Sequence, residues 1–176
     1  AFMMTSNSLV AFRWAAAHSS DAKYRKAADH ALAWIANTEP VTTQDRVFKI
    51  VAVNRYGTLE QKRAAWPLLE ELAAQQAADG GWKEIAAMEG SNAFATGQAL
   101  YALKQAGVSV RGDVFRHGVD YLLTTQQREP TLTYGSWKAI NTQSAHAADF
   151  APTMWAVIGL AGAYGTEPLG ALQIMK

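Results

Sequence analysis

The amino-acid sequence predicts an all-α protein made of three helical hairpins and one additional N-terminal helix. The first reason is an internal repeat, because Gly80-Gly81-Trp82 is echoed by Gly135-Ser136-Trp137. Each tripeptide follows a leucine-containing segment that ends in glutamine, and each precedes a highly apolar segment that ends in glycine. A repeated order of amphipathic helix, polar loop and apolar helix is typical of stacked helical hairpins.

The hairpins are expected at about residues 20–57, 58–107 and 111–165. Before them, the stretch SNSLVAFRWAAAHSS predicts one apolar helix without an amphipathic partner. The first helix of each hairpin is amphipathic; in the first hairpin Tyr24, Ala28 and Ile35 share one face. The second helices are apolar on nearly all sides, which predicts an inner layer that is buried all round. The sequence therefore predicts seven helices in two layers, and no strand.

Helix starts are marked by residues that can cap free backbone N–H groups. Capping-box spacing occurs twice, at Thr42 with Asp45 and at Thr58 with Gln61. Further N-cap candidates precede the later helices: Asp113, and either Ser91 or Asn92.

Helix ends are marked by glycine. Gly57, Gly107 and Gly165 each follow an apolar helix, where a left-handed C-cap residue is expected. Pro67 lies within the helix predicted to start near Leu59. Because proline lacks an N–H group and clashes with the preceding turn, it predicts a kink in that helix.

The composition is that of an ordinary globular protein and excludes several classes of function. Apolar residues make up 49% and charged residues 18% of the chain, and the net charge is +1. The scattered basic residues do not indicate nucleic-acid binding. Since there is no cysteine, disulfides and thiolate metal sites are excluded. The most apolar stretch, Phe150 to Tyr164, is shorter than the roughly 20 residues that a membrane span needs.

The glycine–tryptophan segments also carry a resemblance to a known family. Leu72, Gln76, Gly80 and Trp82 fit the Leu-x3-Gln-x(2–5)-Gly-x-Trp core of the QW repeat. The second copy comprises Gly118, Tyr121, Leu122, Gln126, Gly135 and Trp137, with a longer spacer between glutamine and glycine. The chain thus resembles the squalene-hopene cyclase and prenyltransferase repeat superfamily. A bacterial branch of repeat-containing proteins outside the true cyclases is also similar to three segments: TTQDRVFKIVAV, DGGWKEIAAMEGSNAFATGQALYALKQAG and LLTTQQ.

The resemblance implies a partial α/α toroid. It also implies that the glutamine ties its helix end to the start of the next helix and that the tryptophan packs over it. Gly80 and Gly81 are expected to supply a turn with positive φ. A closed toroid takes about six hairpins of roughly 55 residues, so this segment supplies about half. We therefore expect the apolar flanks of the terminal inner helices to be covered by further polypeptide or by another protein subunit.

The sequence offers little for catalysis. The superfamily's cyclases use an Asp-x-Asp-Asp acid cluster, which is absent, and its zinc prenyltransferases use a cysteine ligand. Two weak polar candidates remain: Glu84 with Glu89 in one loop, and His146 with Asp149 before the last inner helix. Both read more simply as loop residues, with Asp149 capping a helix. We expect no metal and no organic cofactor.

Three classes of function remain open. The favoured one is a non-catalytic helical-repeat scaffold or accessory subunit of a larger assembly. The second is an isoprenoid- or lipid-binding protein or cyclase-like enzyme, in which Phe48, Phe94, Tyr101 and Trp155 would line a spacious cavity. The third is a carbohydrate-active α/α-barrel protein, which would need an exposed Trp82 beside the two loop glutamates.

Overall fold

A computed structural model describes residues 1–130, 134–142 and 149–164, and these residues form eight α-helices. They are α1 Phe2–His18, α2 Ala22–Asn37, α3 Thr43–Tyr56, α4 Leu59–Ala64, α5 Trp66–Ala74, α6 Ala93–Gln105, α7 Asp113–Thr125 and α8 Phe150–Tyr164. No strand forms in these three ranges; the pairing of Trp82 with Asn92 is an isolated bridge. The predicted all-α class is confirmed.

The helices pack in two layers. Helices α1, α3, α6 and α8 contact one another in series, and the α6–α8 contact is the most extensive. The other long helices each contact two members of this row: α2 packs on α1 and α3, α5 packs on α3 and α6, and α7 packs on α6 and α8. Each outer helix thus lies across two inner ones, so that the apolar core runs between the layers.

Local signals at the helix starts are largely confirmed. At α3, Asp45 N donates to Thr42 Oγ1 and Thr42 N donates to Asp45 Oδ2, both at 3.0 Å. The corresponding capping box of α4 joins Thr58 and Gln61. Asn92 caps α6 by accepting from Ala95 N at 2.8 Å. At α7, Asp113 is the first helical residue and Gly112 is the N-cap, so that prediction was one residue late.

The predictions at helix breaks and ends had mixed outcomes. Pro67 interrupts the helix predicted from Leu59, which divides at Ala65 into α4 and α5. Pro67 lies in the first turn of α5, where the missing N–H of proline is tolerated. This division raises the helix count from seven to eight in the described ranges. Gly57 ends α3 with an extended φ of −71°, whereas Gly107 has the expected left-handed φ of +84°. Gly165 lies outside the described residues.

Helices α6 and α8 approach so closely that their contact needs glycine. A Cβ built on Gly97 would lie 2.1 Å from the carbonyl oxygen of Trp155, and one built on Gly159 would lie 3.0 Å from Gly97 Cα. The expected burial on all sides holds for α6, in which ten of 13 residues are buried. It does not hold for α8, in which three of 15 are buried.

Candidate functional site

The corner between α5 and α6 is organised around Trp82, which is completely buried. Its indole Nε1 donates to the carbonyl of Leu72 at 2.6 Å, near the end of α5. Its backbone N donates to Thr96 Oγ1 at 3.0 Å, in the first turns of α6. One residue therefore joins the end of the outer helix to the start of the inner helix, while its ring fills the space between them.

The corner between α7 and α8 repeats this arrangement around Trp137, which is 2% exposed. Trp137 Nε1 donates to the carbonyl of Leu122 at 2.8 Å. Its backbone N donates to Thr153 Oγ1 at 3.0 Å. The two tryptophans occupy equivalent positions in spite of the longer spacer before Gly135.

The glutamines hold the same corners from the other side. Gln76 Nε2 donates to the carbonyl of Gly80 and to that of Val114, both at 2.8 Å. Because Val114 lies in the first turn of α7, Gln76 ties the end of one outer helix to the start of the next. Gln126 Nε2 makes the equivalent of the first bond, to the carbonyl of Gly135 at 2.8 Å.

The glycines of these corners have two different roles. Gly80 and Gly135 have φ values of +85° and +82°, so both turns use the left-handed region. Gly81 was expected to do the same, but its φ lies outside that region. It is required by close approach instead, since a Cβ there would lie 2.6 Å from Ser91 Cβ.

Tyr121 packs on this corner from α7 and is 7% exposed. Its Cδ2 lies 3.0 Å from the position of a Cβ on Gly81. Burial, with a smaller contribution from the charge of Asp79, raises the pKa of Tyr121 to about 12. Its phenol is therefore neutral throughout the ordinary pH range.

The candidate carboxylate Glu84 is bound to the neighbouring inner helices. Its Oε1 accepts from Asn92 Nδ2 at 2.9 Å, and its backbone carbonyl accepts from Thr43 N at 2.9 Å. Glu89 is exposed on the same loop. Trp82 presents no surface to solvent, so the exposed tryptophan that a sugar-binding site would need is missing at this loop.

Asp149 has a similar position before α8. Its Oδ1 accepts from Ala139 N at 2.9 Å, and its backbone carbonyl accepts from Thr153 N at 3.1 Å. Asp149 thus stands at the N-cap position of α8, and its side chain fixes the loop after Trp137 to the start of this inner helix. Its predicted partner His146 lies outside the described residues.

Sequence reasoning missed the central role of Asn92. Besides capping α6 and holding Glu84, its Nδ2 donates to the carbonyl of Asn141 at 2.6 Å. In return, Asn141 Nδ2 donates to the carbonyl of Ser91 at 3.3 Å. Thr96 and Thr153 were missed as well. The repeat offered a signal for these two residues, because a threonine stands at the fourth position of both inner helices.

The aromatic residues of the inner layer pack on one another. Trp155 makes edge contacts with Phe48, Phe94 and Tyr101 at centroid distances of 6.0, 6.5 and 5.9 Å. Within this cluster Phe48 is buried, and Phe94, Tyr101 and Trp155 are half-buried. A cavity beside Phe94, Ile140 and Pro152 has a volume of about 50 Å³. That space holds a few water molecules, whereas ligand pockets are roughly 300–1,000 Å³.

Within the three described ranges, no group of three or more acidic or histidine side chains could hold a metal ion. Over the same ranges, none of the helices combines the length and apolarity needed to cross a membrane. Comparison of the chain with protein-family models, with curated proteins and with solved structures finds no match.

Proposed function

We propose that this chain is a non-catalytic helical-repeat scaffold, an arc of an α/α toroid that forms one part of a larger assembly. The observation that carries the proposal is that the polar side chains at the corners between helices bond to the protein itself. Gln76, Glu84, Asn92 and Asp149 are engaged in joining one helix or loop to the next. A catalytic site needs polar groups aimed at a substrate, and these are aimed at the protein's own backbone and loops.

The two-layer order of the helices is what an arc of such a toroid requires. In addition, the bonds of the two tryptophans agree with the role that the QW-repeat resemblance implies for them. Both terminal inner helices also carry large exposed apolar side chains, among them Trp14 at 66% and Val157 at 53%. Soluble proteins rarely leave contiguous patches of this kind uncovered, which supports a place within a larger body.

The proposal is tested by the mass of the native particle. An epitope-tagged copy is purified from its natural host without denaturants, and light scattering gives the particle mass. We expect a mass well above the 19.1 kDa of this chain. A stable particle of 19.1 kDa that does not bind a hydrophobic dye would refute the proposal.

A second candidate function, the binding of an isoprenoid or another lipid, is favoured by the partly exposed aromatic cluster around Trp155. Titration with farnesol tests it, because a ligand on that cluster changes the emission of Trp155 and a Trp155→Phe variant loses the change. This candidate comes second because the cavity beside Phe94 holds only about 50 Å³, while the larger depression of about 530 Å³ at Phe150, Met154 and Val157 is not lined by Trp155.

A further inference from the structure

Helix α8 carries an apolar stripe that no other described element covers fully. The stripe consists of Phe150, Met154, Val157, Ala161 and Tyr164, which are spaced three or four residues apart and so share one helix face. Phe150 and Tyr164 are each 76% exposed, and Val157 is 53% exposed. Helix α8 contains no charged residue. We call this set the α8 stripe.

The internal repeat shows what lies on the equivalent face of α6. The two threonines that bind the tryptophan backbones, Thr96 and Thr153, align the two helices. On this alignment the α8 stripe corresponds to Ala93, Gly97, Leu100, Lys104 and Gly107 of the preceding unit. The first four are buried.

That face of α6 is covered by the hairpin of α7 and α8. Leu100 meets α7 where Gly118 leaves room for it, since a Cβ on Gly118 would lie 2.8 Å from Leu100 Cδ2. Gly97 meets the backbone of α8 at Trp155. The covering element is thus one outer and one inner helix.

We propose that the α8 stripe binds a further helical hairpin of the same type, one that is not among this chain's own three. This inference rests on the proposed function and names one contact surface of the assembly and the element that binds there. The docked outer helix would lie over Val157 and the docked inner helix over Met154. Since methionine stands where α6 has Gly97, the new inner helix would lie farther from α8 than α8 lies from α6.

The glutamines at the ends of the outer helices, Gln76 and Gln126, supply a second, independent reason. Gln76 reaches the carbonyl of Val114 at the start of the following outer helix. Gln126 occupies the same position at the end of α7, so the equivalent acceptor would be a first-turn carbonyl of a docked outer helix. A lipid surface or an irregular peptide would not present that carbonyl at the required place.

The absence of cysteine from the chain allows a direct test by chemical labelling. Val157→Cys is introduced as a single thiol in the full chain. It is also introduced in two extended chains, to whose C-terminus a second copy of residues 58–107 or of residues 108–164 is fused. The rate of alkylation by iodoacetamide is then measured. Val41→Cys, at a position that is 77% exposed in the loop before α3, is the matched control.

We expect the thiol of the Val157→Cys variant to react at least about tenfold more slowly in one of the extended chains, which corresponds to a docked population about ten times the undocked one. The Val41→Cys rate should not change. Adding Met154→Asp to the protected chain should restore fast labelling, because a charge then has to be buried at the contact.

Three results would overturn the proposal. In the first, neither extension protects the thiol. In the second, the unextended chain protects it in a concentration-dependent way, so that a second copy is the occupant. In the third, protection requires phosphatidylcholine vesicles, so that the occupant is a lipid surface. None of these results measures the native particle mass, so this inference can fail while the proposed function stands.

Discussion

The close crossing of α6 and α8 predicts that adding a single methyl group will separate two helices. In Gly97→Ala the new Cβ would lie 2.1 Å from the carbonyl oxygen of Trp155 and 2.8 Å from Ala156 N. Ordinary van der Waals contacts of a Cβ atom begin at 3.4 Å. Because both obstacles are backbone atoms, no side-chain rotation can relieve the overlap, and we expect the helices to move apart by about 1 Å, the difference between the two carbon–oxygen distances.

Two opposing effects set the magnitude. Overpacking a well-packed interface costs about 1–3 kcal/mol, and a backbone obstacle belongs at the upper end of that range. Replacing glycine by alanine inside a helix contributes about 1 kcal/mol in the opposite direction. We therefore expect Gly97→Ala to lower the free energy of unfolding by about 2 kcal/mol, which corresponds to roughly 4–8 °C in Tm for a chain of this size.

Urea and thermal unfolding followed by circular dichroism measure this, and α8 itself provides the control. In Gly162→Ala the nearest atom to the new Cβ is Lys104 Cγ at 3.6 Å, an ordinary contact. This variant should gain about 0.5–1 kcal/mol. Gly159→Ala, whose Cβ would lie 3.0 Å from Gly97 Cα, should fall between the two. If Gly97→Ala were as stable as Gly162→Ala, the close crossing would not exist.

Three further predictions follow from individual side chains. Trp82→Ala should lower the free energy of unfolding by about 3–5 kcal/mol in the same urea titration. Trp14→Ala, at a position that is 66% exposed, should change it by about 0.5 kcal/mol or less. Equal effects of the two substitutions would contradict the assignment of Trp82 to the core. Gln98→Leu should raise the free energy of unfolding by about 1 kcal/mol, because Gln98 is fully buried and neither amide atom has a hydrogen-bond partner in the described ranges. A large decrease in the free energy of unfolding would show that the amide is hydrogen-bonded. Ultraviolet titration should show one tyrosine ionising near pH 12 that is missing in Tyr121→Phe. Since the folded pKa is raised above an unfolded value near 10, the stability that Tyr121 contributes is present below pH 10 and is lost as the pH rises towards 12.

The features that sequence reasoning predicted correctly depend on short-range contacts. The capping box of Thr42 and Asp45 needs two residues three positions apart, and both were visible. The left-handed turn at Gly80 likewise depends on the few residues around it. The repeat then located the second corner at Trp137, because equivalent sequence builds equivalent contacts.

The features that were missed depend on contacts between distant segments. Gly81 reads as a turn residue, yet its requirement comes from Ser91 across the corner. The crossing of Gly97 with Gly159 joins the inner helices of two successive hairpins, and no local pattern distinguishes either residue from an ordinary helical glycine. Asn92 looked like a cap, and its bond to Asn141 could be seen only once the third hairpin was placed.

The contrast between α6 and α8 shows what an apolar helix sequence does and does not report. Both segments are apolar on nearly all sides, and the expectation of full burial was the same for both. Helix α6 meets it because α3, α5, α7 and α8 surround it, whereas the main neighbours of α8 among the described helices are α6 and α7. The composition of a helix thus predicts how far it should be buried, whereas the structure shows how far the described residues bury it. Where the two differ, large apolar side chains stay exposed at Phe150, Val157 and Tyr164, on the face to which we propose that a further hairpin docks.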